Sequence, residues 1–317
     1  MCHNTYMKRS SMKIILSIVG AGFLIGVIYF PAPSMLWFFS TFTAFATEVS
    51  SQAVPLISIQ PTHIKQGDPI MVIVASSASS SILSATFDGE QVEVVQYGPK
   101  LAVFLGVNIH KKPGLYLFKI VFVNGQTVQK NILVEARKKV TAPLGIPAKL
   151  GGNTAAAAKN VVLALTNENK ILAALPSGSQ PLWTKAFIFP VAHPVVTDTY
   201  GYSRLTGVYK IPHLGVDFAA ASGTPIMAIN DGLVIMAQDL GIYGTTVVVD
   251  HGAGISSFYM HLSKLSVKKG DRVARGQMVG ESGQTGYAEG PHLHLSVRIN
   301  GSSIDPVQFF KFFRGDF

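Results

Sequence analysis

Two histidines two residues apart give this chain its clearest sign of chemistry. The stretch Gly290-Pro291-His292-Leu293-His294-Leu295-Ser296-Val297-Arg298 alternates between apolar and polar residues, which predicts a β-strand. Residues two apart on a strand share a face, so His292 and His294 project together while Leu293 turns into a core. Such a pair can bind a metal, move protons, or do one of each. A His-x-His pair alone is weak support for a site, because a metal needs further ligands.

Two further stretches supply those partners. His213 and Asp217 are four residues apart, and Gly215 between them favours a strand or a strand–loop junction over a helix. Another apolar stretch predicts a strand that places Tyr259 and His261 on one face. Together with the first pair, four histidines and one aspartate are available. Three His or carboxylate ligands plus a water are typical of a catalytic zinc, which leaves two imidazoles for acid–base work.

The remaining histidines and the other motif classes add no second site. His251 follows Asp250 in a predicted turn and is interpreted as structural, and His193 lies outside the pattern. No His-Glu-x-x-His occurs, which excludes a thermolysin-like protease. A biotinyl- or lipoyl-type carrier needs a lysine in a tight turn, and the corresponding stretch, residues 227–232, has none.

The elements that must position these residues are mostly β. Residues 54–136 hold short alternating runs broken by turns, with Asp88-Gly89 and Asn124-Gly125 as predicted hairpin turns. The predicted strands are Leu56–Ile59, Ile70–Val74, Gln91–Val95, Leu101–Leu105, Leu115–Val123 and Thr127–Val134. This density of strands predicts a β-sandwich-like accessory domain without chemistry of its own.

Residues 137–182 are predicted to be a linker that contains one helix. Gly151-Gly152 and several prolines mark the boundary, and residues 153–175 have a helical pattern that is closed by Pro176. Residues 183–317 are then expected to form the C-terminal domain, an antiparallel β-sheet that carries the histidines. The fold class predicted for the whole chain is mostly β.

The N-terminal segment, residues 1–46, predicts export. Lys8, Arg9 and Lys13 precede an uncharged apolar run, and Ala44-Phe45-Ala46 is a small-x-small pattern that favours cleavage of a signal peptide. The alternative is an uncleaved membrane anchor, because the 17 apolar residues of Ile14–Phe30 are at the short limit for a bilayer span. Both alternatives place the remaining chain outside the cytoplasm, in the periplasm or cell envelope, with anchoring to the inner membrane if the segment is retained.

Composition agrees with an exported protein of several domains. The chain has 48% hydrophobic residues, a single cysteine, Cys2, and a net charge of +9, and residues 190–317 are neutral. The lone cysteine excludes a disulfide framework and a cysteine-rich zinc site. Most of the positive charge belongs to the accessory domain and linker, which could lie against an anionic envelope surface. Nucleic acid is not an expected partner, because no binding motif occurs.

Taken together, the motifs resemble the lysostaphin-type (LytM-type) zinc metallopeptidases that cut peptidoglycan cross-bridges. The resemblance rests on His213-x-Gly-x-Asp217, Tyr259-x-His261 and His292-x-His294. Framing motifs in family order extend it over about residues 189–309, among them Gly223-Thr224-Pro225-Ile226, Asp231-Gly232-Leu233-Val234, Gly270-Asp271-Arg272-Val273 and Gly276-Gln277-Met278-Val279-Gly280. The accessory domain and helical linker also resemble the layout of exported family members.

This resemblance implies a role for each residue of the constellation. His213, Asp217 and His294 would be the zinc ligands, and His261 and His292 the catalytic imidazoles, with base and acid unassigned. Zinc lowers the pKa of a bound water towards ~7, and the imidazoles move protons during amide hydrolysis. A tyrosine could donate to the oxyanion, with Tyr200, Tyr202 and Tyr209 as unranked candidates.

The expected function is therefore zinc-dependent hydrolysis of peptide cross-links in bacterial peptidoglycan, for cell-wall remodelling. Both a D-Ala–diaminopimelate bond and a glycine bridge remain possible substrates. The alternative is a non-hydrolytic LytM-like domain that binds and activates a cell-wall amidase. That alternative requires missing site residues, and all five are present.

Overall fold

The computed structural model describes residues 56–75, 81–138 and 140–313. The predicted signal peptide or anchor, residues 1–46, lies outside these ranges. Among the helices that are described, none is both long and apolar enough to cross a membrane.

In the described residues, nine strands build the N-terminal domain. They are β1 (Leu56–Gln60), β2 (Ile64–Lys65), β3 (Pro69–Ala75), β4 (Ile82–Phe87), β5 (Glu90–Gln91), β6 (Val95–Tyr97), β7 (Lys100–Gly106), β8 (Gly114–Phe122) and β9 (Thr127–Glu135). One sheet has the order β1-β3-β7-β6 and the other β2-β9-β8-β4-β5. Alternate residues of facing strands, such as Val72 of β3 and Ile120 of β8, are fully buried in one shared core. The two sheets therefore pack face to face.

Both predicted hairpin turns are confirmed, and one predicted strand is wrong. Asp88-Gly89 joins β4 to β5, and Asn124-Gly125 lies between β8 and β9. The run 91–95 is not one strand, because Gln91 ends β5 in one sheet while Val95 begins β6 in the other. The residues between them cross from sheet to sheet, and Val92 and Val94 pack against the core on the way. A continuous strand and such a crossing segment show the same alternation of apolar residues, so the sequence pattern does not distinguish them. Strand β4, which is rich in Ser, Ala and Thr, was not predicted.

The linker contains a short strand and the expected helix. Strand β10 (Thr141–Pro143) is followed by a 3-10 turn (Ala148–Leu150) and by α1 (Ala155–Ala173). The hydroxyl of Thr154 accepts a hydrogen bond of 3.1 Å from the Ala157 N–H, which caps the first turn of the helix. The predicted helix is confirmed, with each end two residues inside the predicted limits.

The C-terminal domain is an antiparallel sheet followed by a short helix. Its elements are β11 (Val196–Asp198), β12 (Ser203–Thr206), β13 (Tyr209–Pro212), β14 (Val216–Ala219), β15 (Pro225–Met227), β16 (Gly232–Asp239), β17 (Thr245–Gly252), β18 (Ile255–Leu265), β19 (Arg272–Val273), β20 (Met278–Ser282), β21 (His292–Ile299), β22 (Ser302–Ile304) and α2 (Pro306–Phe313). Ten of these strands form one sheet along β11-β14-β21-β18-β17-β16-β19, with β15, β20 and β22 attached. The mostly β fold class is confirmed.

The two faces of the central strand β21 differ completely. Leu293, Leu295 and Val297 are fully buried in a core that includes aromatic residues of α2. The opposite face carries His292 and His294. A strand packed this firmly on one side gives the polar side chains on its other side a rigid base.

Candidate active site

Three adjacent strands and one strand end bring all five predicted residues together. Asp217 of β14 and His292 and His294 of β21 lie on paired strands, with Asp217 directly opposite His294. His261 lies on β18, the strand on the other side of β21. His213 comes just after β13, where the chain turns toward β14. All five side chains line one cavity of about 490 Å³.

His213, Asp217 and His294 form a tight triangle of ligand atoms. His213 Nε2 lies 3.0 Å from Asp217 Oδ1 and 2.9 Å from His294 Nδ1, and the third side is 2.9 Å. His213 donates its Nδ1–H to the Thr199 carbonyl at 3.0 Å, which leaves a lone pair on Nε2. These three buried side chains are close enough together to hold one metal ion.

The charges of this triangle also favour a cation. Burial raises the pKa of Asp217, but the charge and hydrogen bonds of His213 and His294 outweigh it and hold the pKa well below its usual range. Burial, partly offset by the hydrogen bond to the Asp217 carboxylate, lowers the pKa of His294 to about 4. Two imidazole nitrogens and an ionised carboxylate oxygen therefore converge within 3.0 Å of one another, and one metal ion could bind all three.

His261 and His292 stand beside the triangle as a second pair. Their ring centroids are 4.9 Å apart, and His292 Nε2 lies 3.8 Å from Asp217 Oδ1. Each donates Nδ1–H to a backbone carbonyl at 2.8 Å, His261 to Thr285 and His292 to Gly290. Their Nε2 atoms therefore hold a lone pair when the rings are neutral. Burial, reinforced by the neighbouring His292 and His294, lowers the pKa of His261 to about 3, so this ring is neutral across the physiological range.

A bulge in β18 aims His261 at the cavity and corrects one prediction. Tyr259 and His261 do not share a face. His261 has a left-handed φ of 61°, and the pairing of β18 with β17 shifts at this point. Two consecutive side chains, Met260 and His261, therefore line the cavity, while Tyr259 is fully buried on the core side. Its hydroxyl accepts a hydrogen bond from the Ile229 N–H at 2.9 Å, so its role is structural. Strict alternation could not reveal the extra residue.

Arg204 of β12 pairs with the outward oxygen of Asp217, a contact that the sequence analysis did not predict. Its guanidinium lies 3.2 Å from Asp217 Oδ2 and also pairs with Asp198. Because Oδ2 is engaged in this way, Oδ1 is turned to the two histidines. A single arginine far from the motifs in sequence has no pattern that could have identified it.

The candidate tyrosines do not line the cavity. Tyr200 is buried elsewhere and donates its hydroxyl to the Ser303 carbonyl at 2.7 Å. Tyr202 stacks near the Arg204 guanidinium, and Tyr209 packs against the core beside α1. Among the described residues that line the cavity, the tyrosines are Tyr243 and Tyr287.

His251 lies within β17 and not in the predicted turn, and its buried ring connects neighbouring parts of the sheet. Its Nδ1 hydrogen-bonds the Asp231 carbonyl and its Nε2 the Ser257 hydroxyl, each at 2.8 Å. Complete burial lowers its pKa to about 4. The ring therefore serves as a neutral connector between β16, β17 and β18. His193, outside the pattern, is exposed.

The part of the chain that carries this site is similar to known proteins. Residues 211–306 match peptidase family M23. The chain is 43% identical over 115 residues to the peptidoglycan DD-endopeptidase ShyA of Vibrio cholerae, a match that covers 36% of this chain and 27% of that protein. It is 41% identical over 119 residues to the glycyl-glycine endopeptidase ALE-1 of Staphylococcus capitis, covering 35% of this chain and 33% of that protein.

A solved structure extends the likeness beyond the catalytic domain. The putative peptidase M23 from Pseudomonas aeruginosa matches with a TM-score of 0.56 and 29% sequence identity, over 77% of this chain and 94% of that one. The fold and the site thus define a metallopeptidase-type domain, and residues 211–306 belong to peptidase family M23, the lysostaphin type. The matched segments span about a third or less of the two curated relatives.

Proposed function

We propose that this protein is a zinc-dependent endopeptidase that hydrolyses peptide cross-links of bacterial peptidoglycan. The observation that supports it most is the triangle of His213 Nε2, Asp217 Oδ1 and His294 Nδ1, with sides of 2.9–3.0 Å, beside two further imidazoles in one cavity. Two relatives, one named a peptidoglycan DD-endopeptidase and one a glycyl-glycine endopeptidase, support the substrate class.

The triangle suits zinc in its donor set. His213, Asp217 and His294 would hold the ion with two imidazole nitrogens and one carboxylate oxygen, which is the ligand number and type of a catalytic zinc site. Bound there, zinc would acidify a water molecule and stabilise negative charge on the substrate carbonyl. The Arg204 guanidinium, 3.2 Å from Asp217 Oδ2, supports that carboxylate from behind.

His261 and His292 would carry the protons. Hydrolysis of an amide needs one group to accept a proton from the attacking water and one to deliver a proton to the leaving amine. The Nδ1–H bonds to Thr285 and Gly290 orient both rings with Nε2 free to accept. His261 is buried and neutral, so it is available as a base without first losing a proton. Either ring, once protonated at Nε2, can donate to the amine.

The place of action follows from the predicted export signal. We infer that the protein works in the cell envelope, either free in the periplasm or held at the inner membrane by its N-terminal segment. The basic accessory domain would lie against anionic envelope polymers or lipid head groups. The bond itself is a D-Ala–diaminopimelate link or a glycine bridge, and the two relatives named above are each named for one of these classes.

The experiment is digestion of purified cross-linked muropeptides with identification of products by mass spectrometry. We expect dimers to become monomers with a mass gain of one water per cut, and the product masses identify the bond. Glycan chains and the amide between lactate and the stem peptide should stay intact. Absence of any peptide cleavage by zinc-loaded protein on both bond types would contradict the proposal.

A further inference from the structure

Arg298 is a buried cation at the far end of the same strand face that carries the histidines. On β21, residues 292, 294, 296 and 298 point to one side, and Arg298 lines the same cavity as His292 and His294. Only 9% of its surface is exposed. In the described residues its Nε has no hydrogen-bond partner and its guanidinium has no carboxylate. The Phe258 ring lies against it, with the guanidinium carbon 4.5 Å from the centroid, and Tyr243 is near enough to interact with its charge.

A buried guanidinium without an anion is costly, and the chain avoids it elsewhere. Arg137 contacts two carboxylates, and so does Arg204. Burial lowers the pKa of Arg298, which reflects the lost hydration of its charge. A cation–π contact offsets only part of that loss. Since an apolar residue would fill the position at lower cost, a ligand is the physical reason to retain the charge.

The carboxylates that line the cavity are already engaged. Asp217 and Asp198 pair with Arg204, and Glu289 accepts a hydrogen bond of 2.8 Å from the Gly145 N–H.

A second hydrogen-bond donor lies in the same cavity as Arg298. Asn169 of α1 lines the same cavity, and because its Oδ1 accepts the Tyr243 hydroxyl, its Nδ2 hydrogens have no partner in the described part of the chain. A planar guanidinium and an amide N–H₂ together suit a carboxylate.

We propose that Arg298 and Asn169 form a subsite that binds a free carboxylate of the peptide substrate. This inference rests on the proposed function and adds a specificity determinant to it. Arg298 lies four positions after His294 on the strand, roughly 13 Å away at about 3.3 Å per residue. A fully extended peptide needs about four residues to cover that distance, and fewer where a long side chain supplies part of the reach. The carboxylate recognised is therefore one or more residues from the bond that is cut, at a stem-peptide terminus or side chain.

The test compares cross-linked stem-peptide dimers that have free carboxylates with the same dimers after amidation. Wild-type protein should cleave the free form with a kcat/KM roughly 10- to 100-fold higher, as expected for a charge-assisted hydrogen bond. Arg298→Met should reduce that ratio to near 1, and Arg298→Lys should keep part of it. Arg272→Met, which removes an exposed arginine of β19 outside the cavity, should keep the full ratio.

Two further measurements separate ligand binding from a structural role and from failure of the proposed function. Thermal unfolding of Arg298→Met should give a Tm equal to or above that of wild type, whereas a structural role predicts a lower Tm. Calorimetric titration of zinc-loaded His261→Ala protein with both dimers measures the same preference without turnover. If the free and amidated dimers bind equally well, or if Arg298→Met retains the preference, the inference is overturned and the endopeptidase proposal stands. If the free dimer binds better but wild type cuts neither dimer, the subsite stands and the endopeptidase proposal fails.

Discussion

At the scale of single residues, backbone carbonyls set the protonation of the site. His213, His261 and His292 each donate Nδ1–H to a main-chain oxygen, which fixes one tautomer and leaves Nε2 for chemistry. His294 is reversed, with Nδ1 turned to Asp217. The triangle therefore offers three ligand atoms and no spare one, so replacing any of the three residues should weaken metal binding strongly.

The first prediction concerns metal content. His213→Ala and His294→Ala should lose zinc, because two protein ligands do not retain the ion against a chelator. His261→Ala should retain about one zinc per chain, because His261 lies outside the triangle. Elemental analysis after dialysis against a weak chelator measures this. Full retention in both ligand variants would contradict the ligand assignment, and loss in His261→Ala would place His261 among the ligands.

The second prediction concerns acid stability and His251. Its folded-state pKa is about 4, against an ordinary value of 6.5, so the unfolded chain binds a proton more readily between these values. The contribution of His251 to the free energy of unfolding is therefore fully present above pH 6.5. It decreases by about 3 kcal/mol as the pH falls towards 4. His251→Gln should be less stable than wild type at pH 7.5, with the difference narrowing at pH 4.5. Urea midpoints for both proteins measure it, and a difference that stays constant with pH would refute this account.

At the scale of elements, the linker helix holds one wall of the cavity. Glu168 of α1 is buried, and its carboxylate accepts the Ile242 and Tyr243 N–H groups at 2.8 and 2.9 Å. The Tyr243 carbonyl in turn accepts the His261 N–H at 3.0 Å, beside the bulge in β18. Burial raises the pKa of Glu168, and the two N–H groups work against that rise. Helix α1 therefore helps to set the backbone position of His261, through Glu168 and Tyr243.

The third prediction follows from this contact. Glu168→Ala should lower the free energy of unfolding by about 2 kcal/mol, because two N–H groups near the core lose their acceptor. Activity should fall as well, because the loop that supports His261 is released. Glu168→Gln keeps one carbonyl acceptor and should lose less of both. Lys170→Ala, at an exposed position two residues on, is the control and should match wild type in urea unfolding and in cross-link cleavage. Equal stability of Glu168→Ala and wild type would contradict the contact's role.

Sequence patterns predicted the strands and spacings well and the tertiary partners poorly. Alternation located β21 and the His292–His294 pair, and hairpin dipeptides located two turns. The bulge at His261 was not predicted, because one extra residue in a strand cannot be recognised from an alternating pattern. Arg204 and Glu168 escaped because their partners lie on other elements and share no spacing with them. Such contacts arise only when the sheet and the helix have packed.

At the scale of the whole molecule, the N-terminal β region and the C-terminal β domain share buried structure. The described residues between 56 and 313 belong to one compact unit. Phe104 of the accessory domain packs against Trp183 and Phe313 in a mixed aromatic cluster. Arg137 pairs with Asp68 between β2 and β3 at 2.6 Å and with Asp305 before α2 at 2.9 Å. Burial raises the pKa of Asp68, and the Arg137 charge works against that rise.

The fourth prediction tests this connection. Arg137→Ala should destabilise the protein by about 3 kcal/mol at pH 7, since it leaves two buried carboxylates facing each other. Near pH 4 the loss should shrink, because Asp68 can then take up a proton. Arg137→Lys should restore part of the stability, although a lysine cannot match both carboxylates with one planar group. Thermal unfolding at both pH values is the measurement. A loss that grows at acid pH would contradict this explanation.

The proposed function requires zinc held by His213, Asp217 and His294 to work with His261 in cutting peptide cross-links. The decisive measurement follows muropeptide cross-link cleavage through zinc removal and return, in wild type and His261→Ala. We predict that wild type loses cleavage on chelation and regains it with one zinc per chain, while zinc-loaded His261→Ala stays at least ~100-fold slower. Cleavage that survives complete zinc removal, or a zinc-loaded His261→Ala protein as active as wild type, would contradict the account.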